Sequence, residues 1–162
     1  MRLLFVCMGN ICRSPTAEGV MRSVLAEHAL DDVIEVDSAG VGSWHVGERA
    51  DPRSREAARR RGIELTSIAR QITADDFDTF DLILAADELN VRDLRRVAGG
   101  DPDRLDKIRL LREFDPAAAA AGGDLEVPDP YYGGPGGFEH VLDLVEAACR
   151  GLLDELRATG RV

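Results

Sequence analysis

Apolar and polar positions recur along this chain at two different periods, and the switches between them mark its elements. The apolar run Leu3-Leu4-Phe5-Val6, within Arg2 to Val6, predicts a strand buried on both faces, as at the centre of a parallel sheet. After residue 14 the spacing lengthens to that of a helix. Ala17, Val20, Met21, Val24 and Leu25 share one face, and Glu18, Arg22 and Glu27 take the other. Pro15 suits the first turn of this helix, where its missing N–H is harmless. Val33 to Asp37 alternates apolar and acidic residues and predicts a second strand, ended by Ser38-Ala39-Gly40. A loop from Val41 to Ala50 follows. Asp51-Pro52 opens and Gly62 closes a short helix, with Arg59, Arg60 and Arg61 at the end where the helix dipole favours cations.

Ile63 to Ile68 reads as a weak extended segment, and Thr73 with Asp76 three residues on approximates a capping signal for a short helix. Phe80 to Ala86 predicts another apolar strand. Asp87 then caps a helix carrying Val91, Leu94, Val97 and Ala98 that stops at Gly99-Gly100. Ile108 to Leu111 reads as the last strand, and Asp115 to Gly123 as a surface loop. The prolines and glycines of Glu126 to Gly137 exclude helix or central strand there. From Phe138, the positions Val141, Leu142, Val145, Cys149, Leu152, Leu153 and Leu156 complete one face of a long closing helix, with Cys149 an inert core thiol. Strands alternating with helices predict an α/β fold: one three-layer domain over residues 1–162, with a central, mainly four-stranded parallel sheet flanked by helices.

Composition alters this picture in three respects. There is no apolar run of about 18 residues to span a membrane, and the apolar stretch before Cys7 is too short for a secretory signal. A cytoplasmic address is therefore expected. Three cysteines form no even disulfide framework, which points to reduced thiols. A net charge of −10 argues against nucleic acid or an anionic membrane as a partner. Any anion site must then be a local positive well.

Such a well is encoded between the first strand and the first helix, in Cys7-Met8-Gly9-Asn10-Ile11-Cys12-Arg13-Ser14. The five residues after Cys7 can wrap backbone N–H groups around an anion, with the N-terminus of the helix pointing at the same place. A thiol at the base of that cradle is drawn toward the thiolate. Arg13 offers a planar fork for two phosphoryl oxygens. Gly9 permits close backbone approach, Asn10 tolerates a left-handed conformation, and Ser14 can donate a hydrogen bond to the thiolate. The loop also lies at the carboxyl end of the first strand, where open α/β sheets bind ligands. Cys12 could meet Cys7 across the curled loop and trap oxidised Cys7 as a reversible disulfide, or it could simply pack beneath the loop. No His, Cys or carboxylate spacing calls for a metal, and no cofactor is needed.

Val6-Cys7-Met8-Gly9-Asn10-Ile11-Cys12-Arg13-Ser14-Pro15, together with Asp129-Pro130-Tyr131-Tyr132-Gly133-Gly134, resembles the low-molecular-weight protein tyrosine phosphatases. Intermediate stretches keep the family's order: Asp37-Ser38-Ala39-Gly40, Trp44-His45-Val46-Gly47, Ala69-Arg70-Gln71 and Phe80-Asp81-Leu82-Ile83-Leu84. The resemblance implies hydrolysis of phosphotyrosine through a cysteinyl-phosphate. Cys7 would be the nucleophile, Arg13 would bind the phosphoryl group, and Asp129 would serve as general acid and then base. It further implies that Ser38 hydrogen-bonds Asn10, that Asp87 braces the surroundings of the site, and that Ile11, Trp44, Tyr131 and Tyr132 form the slot for the substrate ring. Phosphotyrosyl protein is then the partner, inorganic phosphate the product or inhibitor, and the protein a monomer. Thiol-dependent arsenate reductases share the fold and loop but relay a disulfide through two further close cysteines. This chain has only Cys149 in its latter half. Relatives acting on phosphoarginine tend to carry threonine where Ile11 stands. A module that merely captured phosphotyrosine would need neither Cys7 nor Asp129.

Overall fold

The apolar run at the start of the chain becomes β1 (Arg2–Cys7), with every residue from Leu3 to Cys7 buried. In the computed structural model, which describes residues 1–134 and 136–162, β1 pairs in parallel on both sides. Its neighbours are β2 (Glu35–Gly40) and β3 (Leu82–Ala85), and β4 (Ile108–Leu110) lies outside β3. The order is β2-β1-β3-β4, all parallel.

The pleat of β1 divides the interior in two. Leu3, Phe5 and Cys7 point to a core shared with α1 (Arg13–Glu27), α2 (Pro52–Arg59) and the closing helix α7 (Gly136–Ala158). Leu4 and Val6 point to a second core built with Phe77 of α3 (Asp76–Thr79) and with Val91, Leu94 and Ala98 of α4 (Glu88–Ala98). Alternation in one strand thus places helices on both faces, giving three layers. The apolar positions named for α7, Cys149 included, are all buried.

Several local expectations are corrected. β2 begins two residues later than the alternation indicated and runs through Ser38-Ala39-Gly40, because pairing with Phe5, Val6 and Cys7 overrides the weak strand preference of serine and glycine. The first strand likewise extends to Cys7, and β3 and β4 are shorter at their ends. Ile63 to Ile68 forms no strand, only an isolated bridge between Arg49 and Ile68. α5 (Pro102–Leu105) was not foreseen. Asp115 to Gly123 contains a helix, α6 (Pro116–Ala121). Asp115 caps it by accepting the N–H groups of Ala117 and Ala118, the alanines favour it, and Gly122 ends it at φ +66°. Arg59, Arg60 and Arg61 pair with Glu56, Glu64, Glu139, Asp143 and Glu146, so the arginine run is a neutralised surface.

Candidate active site

β1 ends at Cys7 and α1 begins at Arg13, so the residues between them curl at the carboxyl edge of the sheet. Asn10 sits at φ +57°, the left-handed conformation that the curl requires. Among the described residues, no hydrogen bond from the backbone N–H groups of Met8 to Arg13 to a protein acceptor is found. Unpartnered N–H groups of this kind, at a helix start, form a site for an anion.

The loop is held from below by side chains. Asn10 Nδ2 donates to Ser14 Oγ at 2.8 Å and to Ser38 Oγ at 3.0 Å, while its Oδ1 accepts the Arg70 N–H at 3.0 Å. Only one orientation of the amide satisfies all three. Ser38 Oγ, having accepted from Asn10, donates to Glu18 Oε1 at 2.7 Å. Ser14 Oγ lies 3.0 Å from Cys7 Sγ and 3.4 Å from the Ala39 carbonyl. With its lone pair engaged by Asn10, the hydroxyl has one proton to give, and the nearer sulfur is the better placed acceptor. The Ser14 N–H also reaches Cys7 Sγ, at 3.4 Å. Glu18 is the buried end of this chain, only 5% exposed although it belongs to the polar face of α1. Burial, with Asp37 adding, pushes its carboxyl above the usual range against the pull of Ser38 and Arg22.

Arg13 is 4% exposed. Its Nη1 donates to Asp87 Oδ2 at 2.6 Å and to the Val127 carbonyl at 3.0 Å, which fixes the guanidinium and leaves its other nitrogens for a ligand. Burial alone would lower its pKa, but Cys7, Asp87 and Asp129 outweigh it and push the value up, so the group stays charged. Asp87 serves twice, because its Oδ1 also caps α4 through the Asn90 N–H.

Asp129 lies in the loop between β4 and α7. Its Oδ2 stands 3.9 Å from Arg13 Nη2, and its Oδ1 accepts the Tyr131 N–H at 3.1 Å. The carboxyl is about half exposed, so the tyrosines do not seal it from water. Cys7, Arg13 and Asp129 border one cavity of about 580 Å³, walled by Ile11, Trp44, His45, Tyr131 and Tyr132. Trp44 and Tyr132 are 74% and 92% exposed and form its outer rim. The Trp44 indole folds over Gly42, where a Cβ would lie 1.8 Å from the ring. The Tyr131 and Tyr132 rings meet edge to face at 4.9 Å.

Sequence reading missed three contributors. His45 borders the cavity, pairs with Glu48, and covers Gly9 so closely that a Cβ there would be 2.9 Å from the imidazole. Glu18 and Arg53 act from outside the cavity, Glu18 through Ser38 and Arg53 through the Tyr131 carbonyl, and neither was singled out for the site from the sequence. Cys12 is buried, and that burial, with the charges of Asp51, Cys7 and Asp129 adding, pushes its thiol up to about 12 despite a hydrogen bond with Ser54. It stands as a thiol at neutral pH. Among the described residues, no cluster of three or more His, Cys, Asp or Glu could hold a metal, and no helix is long and apolar enough to cross a membrane.

The low molecular weight phosphotyrosine protein phosphatase family matches residues 2–162. A low molecular weight protein-tyrosine-phosphatase of Streptomyces coelicolor is 51% identical over 156 residues, covering 96% of this chain and 93% of its own. A protein tyrosine phosphatase of Entamoeba histolytica, solved with Hepes in the active site, superposes with a TM-score of 0.92 at 41% identity, over 100% of this chain and 99% of that one. An arginine phosphatase of drosophila superposes at 0.87 with 34% identity, over 96% and 97%. The chain belongs to the low molecular weight phosphotyrosine protein phosphatase family.

Proposed function

We propose that this protein hydrolyses phosphotyrosine in proteins through a cysteinyl-phosphate, the whole chain serving as one catalytic domain. The observation that carries this reading is the convergence of Cys7, Arg13 and Asp129 on one cavity with an aromatic rim. Cys7 Sγ attacks phosphorus in line, forming the S–P bond as the bond to the tyrosyl oxygen breaks. Arg13 and the loop N–H groups hold the three equatorial oxygens, where charge is stabilised. The departing phenolate takes the proton of Asp129. In the second step Asp129 takes a proton from water as that water attacks phosphorus, and Cys7 leaves as a thiolate that receives the Ser14 hydrogen bond. Ile11, Trp44, Tyr131 and Tyr132 offer apolar surface to an aryl ring at the depth of the loop. Ile11 favours that ring over the guanidino group of phosphoarginine. Free buried thiols agree with a reducing cytoplasm, where the protein would act as a monomer.

Phosphate release from a phosphotyrosine peptide, beside phosphoserine and phosphoarginine peptides, tests the reading. Turnover of the tyrosine substrate is expected to vanish in Cys7→Ser and to fall by about 10²-fold or more in Asp129→Ala. Activity surviving in Cys7→Ser would reject it. The same reading gives Cys12 a protective task. Peroxide converts the Cys7 thiolate to a sulfenic acid, and Cys12 displaces its oxygen as water to leave a Cys7–Cys12 disulfide. Mass mapping after mild peroxide should find that bridge, and over-oxidised Cys7 with no bridge would exclude it.

A further inference from the structure

The two loops that meet at the cavity are tied together outside it by one residue, Arg53 of α2. Asp51 first joins α2 to the phosphate loop, its N–H donating to the Ile11 carbonyl at 2.7 Å. The Asp51 carboxylate caps the helix by accepting the Arg53 N–H at 2.8 Å. It also takes the guanidinium at two points, Nε to Oδ1 at 3.0 Å and Nη2 to Oδ2 at 2.9 Å. That leaves Nη1, which donates to the Tyr131 carbonyl at 3.1 Å. The central guanidinium carbon stands 5.3 Å from the centroid of the Tyr131 ring and 4.7 Å from that of Phe138, within the range of cation–π attraction. Tyr131 passes the restraint on, since its own N–H donates to Asp129 Oδ1 at 3.1 Å. A continuous path therefore runs from Ile11 through Asp51, Arg53 and Tyr131 to Asp129.

Pro130 is buried and Tyr131 packs against the core, but few hydrogen bonds fix the acid-bearing segment. Val127 is anchored by its N–H to the Ala86 carbonyl and by its own carbonyl to Arg13. For residues 128–134, among the described residues, two hydrogen bonds reach the rest of the chain: the Gly137 N–H to the Gly134 carbonyl at 3.0 Å, at the start of α7, and the bond from Arg53, which is the one beside Asp129. Asp129 adds only its 3.9 Å ion pair with Arg13. A proton donor displaced by an ångström loses much of its effect, because transfer needs hydrogen-bond reach of the leaving oxygen.

We infer that Arg53 is a positioning residue for proton transfer, holding the Tyr131–Asp129 segment in register with Cys7. The inference rests on the phosphatase reading above. Lysine replaces it only in part, since one ammonium lacks the planar fork that grips Asp51 twice and still faces Tyr131.

The test exploits the leaving group. A tyrosyl oxygen, with a phenol pKa of about 10, needs the acid, whereas the electron-poor phenol of 4-nitrophenyl phosphate leaves with less help. In Arg53→Met, kcat/KM for a phosphotyrosine peptide should fall about tenfold or more, with less than about threefold loss on 4-nitrophenyl phosphate. Inhibition by inorganic phosphate should change by less than about twofold, because the phosphate loop is intact. In an Asp129→Ala background the same substitution should add no leaving-group-dependent loss, since the group it positions is gone. Equal losses on both substrates, or phosphate inhibition weakened in step with them, would overturn the inference. Should Arg53→Met lack a cooperative melting transition, Arg53→Lys decides by the same comparison and is expected to show a smaller loss with the same substrate dependence. Failure of the phosphatase reading is seen separately, as tyrosine turnover that is absent in the native protein or persists in Cys7→Ser.

Discussion

Glu18, Arg22 and Glu27 share the polar face of α1, yet Glu18 alone is buried, beneath Ser38 and within a hydrogen-bond path to Cys7 Sγ. Helical periodicity located the residue on the correct side of its helix. It could not foresee that β2 would cover that side. The burial has a measurable consequence. An ordinary glutamate here would titrate near 4.5, and burial holds the native carboxyl above that value. Below that range both native and unfolded chains carry the proton. As pH rises the unfolded chain ionises first, so Glu18 subtracts stability progressively from about pH 4.5 through its raised native value. Glu18→Gln keeps an oxygen for Ser38 and has no proton to lose. Its melting temperature relative to the native protein should therefore climb as pH rises above about 4.5. A difference that is flat with pH would contradict the assignment.

At the scale of elements, the site depends on how closely β2 approaches the phosphate loop. Gly40 ends β2 opposite Cys7, and a Cβ there would lie 2.9 Å from the Met8 carbonyl oxygen and 3.1 Å from the Asn10 nitrogen. Both contacts are backbone and cannot swing aside. Gly40→Ala should therefore distort the loop and weaken competitive inhibition by inorganic phosphate about tenfold, or about 1.4 kcal/mol. Unchanged inhibition would show that the loop absorbs a methyl group without cost. Ser38-Ala39-Gly40 read as the end of the strand, whereas it is the part of β2 that pairs with Phe5 to Cys7 and comes closest to Met8 and Asn10. The helix α6 teaches the opposite lesson. Asp115, Pro116, an alanine run and Gly122 were all present as start, body and stop signals, and only the low complexity of the run disguised them.

Across the whole molecule, 30 acidic residues outnumber 20 basic ones, while Arg13 and the loop N–H groups make a positive well only a few ångströms wide. At low salt the overall field reaches well beyond that well, since the Debye length is about 30 Å at 0.01 M and about 8 Å at 0.15 M. Phosphopeptides with basic flanks should accordingly be favoured over acidic ones in kcat/KM at low salt. Their advantage should shrink severalfold as ionic strength rises to about 0.15 M. A preference indifferent to salt would place selectivity in direct contacts at the rim instead.

The order of the four strands and of α1, α2, α4 and α7, the two-sided burial of β1, the amphipathic faces of α4 and α7 and the curl of the Cys7–Ser14 loop between β1 and α1 were all determined by the sequence itself. Each depends on residues close together in the chain, whose spacing repeats at the period of the structure they form. Ser38 and Asp87 were expected at the site only through the family resemblance, and tertiary structure alone added Arg70, Val127 and Arg53. Ser38, Arg70, Asp87 and Val127 reach the loop from separate elements, and Arg53 binds Asp129's segment from α2. These contacts join residues 28 to 114 positions apart, so no local period records them. Burial of Glu18 and Cys12 belongs to the same class. Whether a side chain on a helix or loop meets water is settled by what packs over it, and that is a property of the assembled layers.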